Sequence, residues 1–413
     1  MENCVLVKPN GNKTYQKALL NLKACEPPLW LCSLAKKYNT IGLIDAEVDN
    51  LTTNETVSKV MELKPDKVII LATGNHPSSY VQQREEMVKL EIKIGEKVKV
   101  EAYNHLPCNP VELGTPRLDL LDYSKYTAHN WHCFGNVPRS PYGVLFTSIS
   151  CPFNCSFCAI KQFYGNKYSE RPLEDIFKDL DYFAKNKVFN IKIIDELFVF
   201  KKQRVLDICN YIISNGYKFN FWAYARIDIM DEEMLKTMKK AGINWLAYGI
   251  EHGNDEIRKS VLKGSFTKDK IRDVIKMSQN NDIYCLGNYM FGFWEDNYDT
   301  MRETLDFAKE LNCEFANLYT VVAYPNSPLY DDMITKGVSL PTDYSEYAQM
   351  SENFKPLPTK YLTGKQVLTF RDEAFDEYFL NLEYLDNIGD IFGMSTVLDI
   401  EDMSNIRLTR NYG

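Results

Sequence analysis

Residues 151–158 read CPFNCSFC, which places Cys151, Cys155 and Cys158 on one short stretch. Thiolates are soft ligands, suited to zinc and to iron–sulfur clusters. A closed structural zinc site takes four ligands, commonly as two CxxC-like pairs. This chain has no second pair, and no histidine stands at ligand spacing from the first. A cubane cluster ligated by three thiolates keeps one iron open, and that iron can bind a substrate or cosubstrate. The spacing therefore points to an open-iron cubane, with a structural zinc site as the alternative.

The rest of the composition limits where such a site can work. The chain has 413 residues, enough for two or three domains, with 45% hydrophobic and 25% charged residues, which is ordinary for a soluble globular protein. A formal net charge of −8 without any basic run argues against a dedicated nucleic-acid binder. No apolar run approaches the roughly 20 residues of a membrane helix. The opening MENCVLVKPNGNK has no basic region followed by an apolar one. The expected location is the cytoplasm, where thiols stay reduced. The scattered cysteines, Cys4, Cys25, Cys32, Cys108, Cys133, Cys209, Cys285 and Cys313, are expected to be small buried hydrophobes.

The cysteine loop needs a scaffold, and the hydrophobic pattern supplies one. Residues 1–104 alternate strand and helix. CVLVKP, TIGLIDAE, KVIILATG and KVKVEAYN read as strands, with helices over Leu19–Tyr38, Glu55–Leu63 and Gln82–Leu90. Short apolar strands separated by helices predict a parallel sheet. Residues 105–141 form a connector that is ordered, because LDLLDY and NWHCF carry too many large apolar groups for disorder. Residues 142–330 hold six strand-then-helix units, whose strands are GVLFTSIS, FNIKIIDE, KFNFWAYAR, INWLAYGIE, IYCLGNYMFG and EFANLYTVVAYP. Eight units close a full barrel, so six predict an open (β/α)6 partial TIM barrel with the cysteine loop at its carboxyl-end mouth. Residues 331–413 read as helical, FRDEAFDEYFLNLEYL being the clearest amphipathic stretch. The expected fold is thus α/β: a shortened Rossmann-like domain, a partial barrel and a helical carboxyl-terminal region.

CxxxCxxC at the end of the first barrel strand resembles the radical S-adenosylmethionine (SAM) superfamily. The resemblance implies a [4Fe–4S] cluster on Cys151, Cys155 and Cys158, with SAM chelating the open iron through its amine and carboxylate. It places Phe157 against the adenine. Asp195 and Glu196, in IIDELF, stand where the SAM amine is received; a solvated strand end is the other reading. Arg226, in YARID, is placed to meet the SAM carboxylate, or else to form a surface ion pair. Glu251, in GIEHG, matches the carboxylate that approaches the ribose or amine. Gly292 and Pro325 are expected to shape turns.

Nearly the whole chain is similar to the subgroup of that superfamily with an amino-terminal cobalamin-binding domain. The similarity is carried by EPPLWLCSLAKKY, IGLIDAE, PDKVIILATGNHPSS and PLPTKYLTGKQVLTFRDEAFDEYF. The cobalamin half is shortened after HPSSYVQQ, and none of His76, His105, His129, His132 and His252 lies in a DxHxxG motif. Any cobalamin is therefore expected base-off and weakly held, with His76 either a polar contact or a turn residue. The resemblance implies reductive cleavage of SAM to methionine and a 5′-deoxyadenosyl radical, which takes hydrogen from an unactivated carbon. With cobalamin the outcome is C-methylation; without it, rearrangement, epimerisation or oxidation. A non-catalytic cluster-binding protein is the third reading. No cysteine follows Cys313, so one cluster is expected, and the methylthiotransferase branch is disfavoured. The implied partners are a small-molecule substrate and a reductant of flavodoxin or ferredoxin type, with no membrane and no nucleic acid.

Overall fold

A computed structural model describes residues 2–74, 79–165, 167–264 and 266–411. The first sheet is built from β1 (Asn3–Lys8), α1 (Leu29–Leu34), β2 (Asn39–Asp45), α2 (Thr53–Glu62), β3 (Lys67–Leu71), α3 (Tyr80–Gly95) and β4 (Lys99–Tyr103). Its strands are all parallel, in the order β2-β1-β3-β4. The period of two along each strand divides the sheet. Val5, Val7, Val68 and Ile70 pack with Val57, Val60, Met87 and Leu90 of α2 and α3. Cys4, Leu6, Ile69 and Leu71 join Trp30, Leu31 and Leu34 of α1 in the core shared with the second sheet. A sheet covered on both faces explains the continuous apolar runs.

The helix expected over Leu19–Tyr38 is interrupted. Pro27 and Pro28 offer no N–H and exclude helical backbone before them, so α1 starts only at Leu29. The stretch before it is a loop with single helical turns, tied to the connector by a bridge between Cys25 and Thr127.

The second sheet holds β5 (Tyr142–Leu145), β8 (Asn190–Ile193), β9 (Asn220–Ala225), β10 (Ile243–Glu251), β11 (Tyr284–Phe291) and β12 (Phe315–Thr320). They run parallel in the open order β12-β11-β10-β9-β8-β5. Between β5 and β8 lie β6 (Ser148–Ile149), α4 (Ile160–Tyr164), β7 (Ser169–Glu170) and α5 (Leu173–Lys185). The outer layer continues with α6 (Lys202–Ser214), α7 (Glu232–Lys240), α8 (Asp255–Ser260), α9 (Lys268–Gln279) and α10 (Tyr298–Leu311). This is the expected α/β architecture. GVLFTSIS, however, is not one strand. It leaves the sheet after Leu145, and Ser148–Ile149 pair antiparallel with Ser169–Glu170. The break lies where the Asp195 carboxylate captures the Thr147 N–H at 2.6 Å, removing that donor from the ladder.

The connector closes the amino end of this sheet. Ring centroids of Trp131 lie 5.2 Å from both Trp222 and Trp245 and 5.9 Å from Phe315. Beside them Asn244 donates to Asn220 and Asn220 to Asn190, each at 2.9 Å. His132 is 1% exposed, and its Nε2–H donates to the Asn220 carbonyl at 3.0 Å. Burial pushes this imidazole down to about 3. An unfolded histidine titrates near 6.5, so the unfolded chain takes up the proton first as pH falls. Stability from this group is complete above about pH 6.5 and is lost between there and pH 3. At pH 5 the expected loss is roughly 2 kcal/mol at about 1.4 kcal/mol per unit. Denaturant melts at pH 7 and pH 5 should show it, and His132→Gln should flatten the slope; equal slopes would refute the role.

The carboxyl-terminal region adds α11 (Pro328–Thr335), α12 (Gly364–Phe379), α13 (Leu382–Phe392) and α14 (Met394–Ser404). The amphipathic stretch splits at Asn381, whose side chain caps α13. Among the described residues no helix is long and apolar enough to cross a membrane.

Candidate active site at the cysteine loop

The cysteine loop leaves the carboxyl end of the first barrel strand and is held from several sides. The Ser156 N–H donates to the Val261 carbonyl at 3.0 Å, and the Leu329 N–H donates to the Ser156 carbonyl at 2.9 Å. These bonds tie the loop to the segments that follow β10 and β12. At its start Ser150 has φ +70°, an unusual backbone for a residue with a side chain. Glu196 accepts the Ser150 N–H at 2.9 Å and the Gly165 carbonyl accepts its hydroxyl at 2.8 Å, which holds that turn.

Asp195 and Glu196 thus sit together at the end of β8. Asp195 is 1% exposed. Its two oxygens accept from the Thr147 N–H, the Thr147 hydroxyl at 2.5 Å and the Ser148 hydroxyl at 2.6 Å. Burial raises its carboxyl, against these donors. Burial pushes the Glu196 carboxyl up to about 8. Asp195→Ala would leave the buried Thr147 N–H without its partner and release two hydroxyls. A loss of roughly 3 kcal/mol is expected in urea unfolding; an unchanged midpoint would show that the loop does not depend on this brace.

Arg226 leaves β9 and reaches the loop. Its guanidinium lies 3.7 Å from the Phe153 ring centroid, and its Nη1 is 4.0 Å from the Cys155 sulfur. It is fixed by Asp228, with Nε to Oδ1 at 2.7 Å, and by the Lys263 carbonyl. Glu251 ends β10 at a register irregularity and has φ +66°. A bulge of this kind re-aims a side chain. The Glu251 carboxylate accepts from Lys263 Nζ at 2.7 Å, both groups being about one-tenth exposed. Gly249 makes room for that pair: a Cβ there would lie 2.5 Å from both Glu251 Oε1 and Lys263 Nζ. Burial alone would lower the Lys263 ammonium; Glu251 and the Cys155 thiol outweigh it and raise the group.

The charges of neighbouring loop thiols act on Cys151 and Cys158. Burial pushes Cys158 up to about 12, with Cys155 and Cys151 adding to the rise and Lys263 opposing it. Burial also raises Cys151. As free thiols Cys151 and Cys158 keep their protons, which a metal would displace. Among the described residues no three His, Cys, Asp or Glu side chains are already gathered around one metal position. The donor set nevertheless fits an anionic cluster: three soft ligands on a braced loop, with the cations of Arg226 and Lys263 turned toward them. Phe157 packs on Phe293, ring centroids 5.6 Å apart, between the loop and the end of β11.

Residue patterns did not single out Lys263, Gly249 or the His252–Asp296 pair. His252 Nδ1 accepts the Asn254 N–H at 3.0 Å, so Nε2–H donates to Asp296 at 2.9 Å. Asp296 also accepts the N–H groups of Gly292 and Phe293 and thereby fixes the turn at Gly292. Gly292 has φ +93°, as its turn role requires. His76 lies outside the described residues.

Residues 145–308 match the family model of the radical SAM superfamily. The chain is 27% identical over 304 residues to an uncharacterized methyltransferase of Pyrococcus horikoshii, an alignment covering 73% of this chain and 63% of that protein. The chain thus spans less than two thirds of that relative. The radical SAM methyltransferase TsrM from Kitasatospora setae, solved with tryptophan and a SAM analogue, superposes with a TM-score of 0.66 at 14% identity, over 92% of this chain and 89% of TsrM. TsrM has also been solved with cobalamin and a [4Fe–4S] cluster bound. The cobalamin-dependent radical SAM enzyme OxsB, solved with aqua-cobalamin and SAM, superposes with a TM-score of 0.68 at 13% identity, over 98% of this chain and 71% of its own. At these identities the superpositions establish the fold. The stretch that matches the radical SAM superfamily, residues 145–308, carries the cysteine loop and the mouth of the partial barrel.

Proposed function

We propose that this enzyme carries a [4Fe–4S] cluster on Cys151, Cys155 and Cys158, binds SAM beside it, and methylates an unactivated carbon of a small molecule with the help of cobalamin. The observation that carries the reading is the braced three-cysteine loop at the carboxyl end of β5, with Arg226 and the Glu251–Lys263 pair turned onto it. When bound, the cluster supplies the electron that cleaves SAM to a hydrogen-abstracting radical, and cobalamin supplies the methyl group. The chain's residues position and shield. Phe157 offers a ring face for the adenine, Glu251 a carboxylate for the ribose or amine, and Glu196 a second polar group at the mouth. Arg226, paired with Asp228, balances cluster charge; contact with the SAM carboxylate is left to its Nη1 edge. Asp195 has its oxygens taken by the loop, so we assign it to bracing rather than to the SAM amine.

The amino-terminal sheet fits cobalamin in part. Its parallel order offers a carboxyl edge for the cofactor's tail. At β1 and β2 that edge is filled by the chain itself. Lys8 pairs with Asp45 at 3.4 Å and Glu47 at 3.0 Å, Lys23 pairs with Glu47, and Lys8 Nζ donates to the Glu26 carbonyl at 3.0 Å. A tail must therefore lie toward β3. His129, His132 and His252 are engaged elsewhere, and His105 packs edge-on against Phe163. The filled edge favours a second reading, hydrogen abstraction without cobalamin. Anaerobic titration of the reconstituted protein with hydroxocobalamin, followed by a dithionite assay for 5′-deoxyadenosine, tests both. Saturable base-off binding supports methylation. SAM cleavage without cobalamin binding supports the second reading. Absence of SAM cleavage would overturn both.

A further inference from the structure

We propose that the hairpin of α13 and α14 is a docking surface for a partner protein that presents basic and large apolar side chains on one face. The proposal goes beyond the radical chemistry, because the hairpin lies at the opposite end of the barrel from the cysteine loop.

Its position follows from its packing. Phe392, at the end of α13, stacks on Trp245 with ring centroids 5.9 Å apart and lies 4.7 Å from the Tyr284 ring. Trp245 and Tyr284 stand near the amino ends of β10 and β11. Tyr384 and Ile388 of α13 and Val397, Ile400 and Met403 of α14 face the core. The other faces turn outward and carry two kinds of side chain. The first kind is apolar. Leu382 is 77% exposed, Met394 68% and Leu398 55%, and Leu380 and Ile391 are exposed as well. Residues 380–398 thus hold five of the thirteen exposed large hydrophobic side chains among the described residues. Single exposed apolar residues are ordinary, but a concentration of them marks a contact surface.

The second kind is acidic. Glu383, Asp386 and Asp390 of α13 and Asp399, Glu401 and Asp402 of α14 account for six of the eight net negative charges of the chain, and no Lys, Arg or His stands between Arg371 and Arg407. Acids of the preceding helix are paired: Asp376 with Arg407 at 3.0 Å, and Glu377 with Arg302 at 2.7 Å and Lys309 at 3.0 Å. Among the described residues none of the six has an ion-pair partner. α13 also walls a cleft of about 630 Å³ against α9 and α10, with Ile391 in its lining. The charged side chains of that cleft, Arg272, Lys276, Asp282, Glu310 and Glu314, nearly balance, and Arg272 is tied to Glu310. The cleft therefore adds a recess beside the hairpin without an opposing field.

These features select the occupant. Six carboxylates without counter-ions repel nucleic acid and anionic bilayers. A second copy would bring the same six acids, or else a surface without any basic run. A partner with Lys or Arg interleaved among Leu-like side chains meets both needs. Its cations answer the acids, and its apolar groups cover Leu382, Met394 and Leu398. Met394 and Leu398 stand one turn apart on α14, the spacing at which helix-to-helix recognition places its anchors.

The test titrates the full chain into a labelled amphipathic helical peptide of Leu and Lys, about 18 residues long, and into its counterpart with Glu in place of Lys, by fluorescence anisotropy. The Leu/Lys peptide is expected to saturate one site, to bind at least about 10-fold tighter than the Leu/Glu peptide, and to weaken as salt is raised. Leu382→Ser, Met394→Ser and Leu398→Ser combined should weaken it about 10-fold. Glu383→Gln, Asp386→Asn, Asp399→Asn and Asp402→Asn combined should weaken it as much and flatten the salt dependence. Ile92→Ser, which removes a 61% exposed apolar side chain from α3, should change nothing. Circular dichroism on each variant checks that the fold is native. Comparable binding of the Leu/Glu peptide, or an affinity indifferent to both sets of hairpin variants, would overturn the proposal. A dimer in sedimentation velocity, or binding to phosphatidylglycerol vesicles, that the Ser variant abolishes would also overturn it, by making a second copy or a membrane the occupant.

Discussion

Alanine in place of any one of Cys151, Cys155 or Cys158 is expected to abolish the iron–sulfur chromophore and SAM cleavage, while Cys209→Ala and Cys313→Ala retain both. The wild-type protein, isolated without oxygen, should be brown and hold about four irons, as a cubane requires. The contrast follows from position. Cys209 and Cys313 are fully buried among apolar side chains of the helical layer and the sheet, where a thiol acts as a small hydrophobe. The three loop thiols are half-buried and share one loop, and Cys155 and Cys151 both raise Cys158. Each supplies a ligand that no neighbouring side chain can replace, since no further cysteine shares the loop. Iron determination, visible absorption and far-ultraviolet circular dichroism on each variant make the check. Native circular dichroism with iron lost is the expected pairing. Full iron retained in any loop variant, or iron lost in Cys209→Ala, would refute the three-ligand site.

Much of this could be read along the chain because the decisive features are local. The cysteine spacing, the alternation of strands and helices, and the strand-end motifs IIDELF, YARID and GIEHG all lie within short windows. The structure brings their carboxyl ends to one mouth. What escaped was non-local or set by backbone. Pro27 and Pro28 cut an otherwise helical pattern. Thr147 leaves its strand because Asp195, 48 positions away, takes its N–H. Asp195 reads as a free carboxylate in sequence, and only three-dimensional packing shows its oxygens already engaged. Lys263 follows Glu251 by 12 positions across α8, a separation with no helical or strand period to announce contact. The filled carboxyl edge of the first sheet was equally hidden, because Lys8, Lys23 and Glu47 belong to three separate segments.

Breaking the Glu251–Lys263 pair should have the second-largest effect, and a double variant can separate its two roles. Glu251 is 8% and Lys263 9% exposed, so removing either partner strands a charge in a poorly solvated site. Lys263→Met is expected to cost about 3–5 kcal/mol in denaturant unfolding of the metal-free protein, the range for a broken buried pair. Restoring neutrality with Glu251→Gln in the same chain should recover most of that loss, since both charges are then gone. SAM binding should respond differently. If the Glu251 carboxylate itself meets the cofactor, Glu251→Gln should weaken SAM by roughly 10- to 150-fold, the worth of a charged hydrogen bond. The double variant should stay equally weak despite its recovered stability. Calorimetric SAM titration of the anaerobically reconstituted variants, beside their unfolding curves, reads both quantities. If SAM affinity returned together with stability in the double variant, Glu251 would serve only to neutralise Lys263. The strained backbone at φ +66° would then exist to place an ion pair rather than a cofactor ligand.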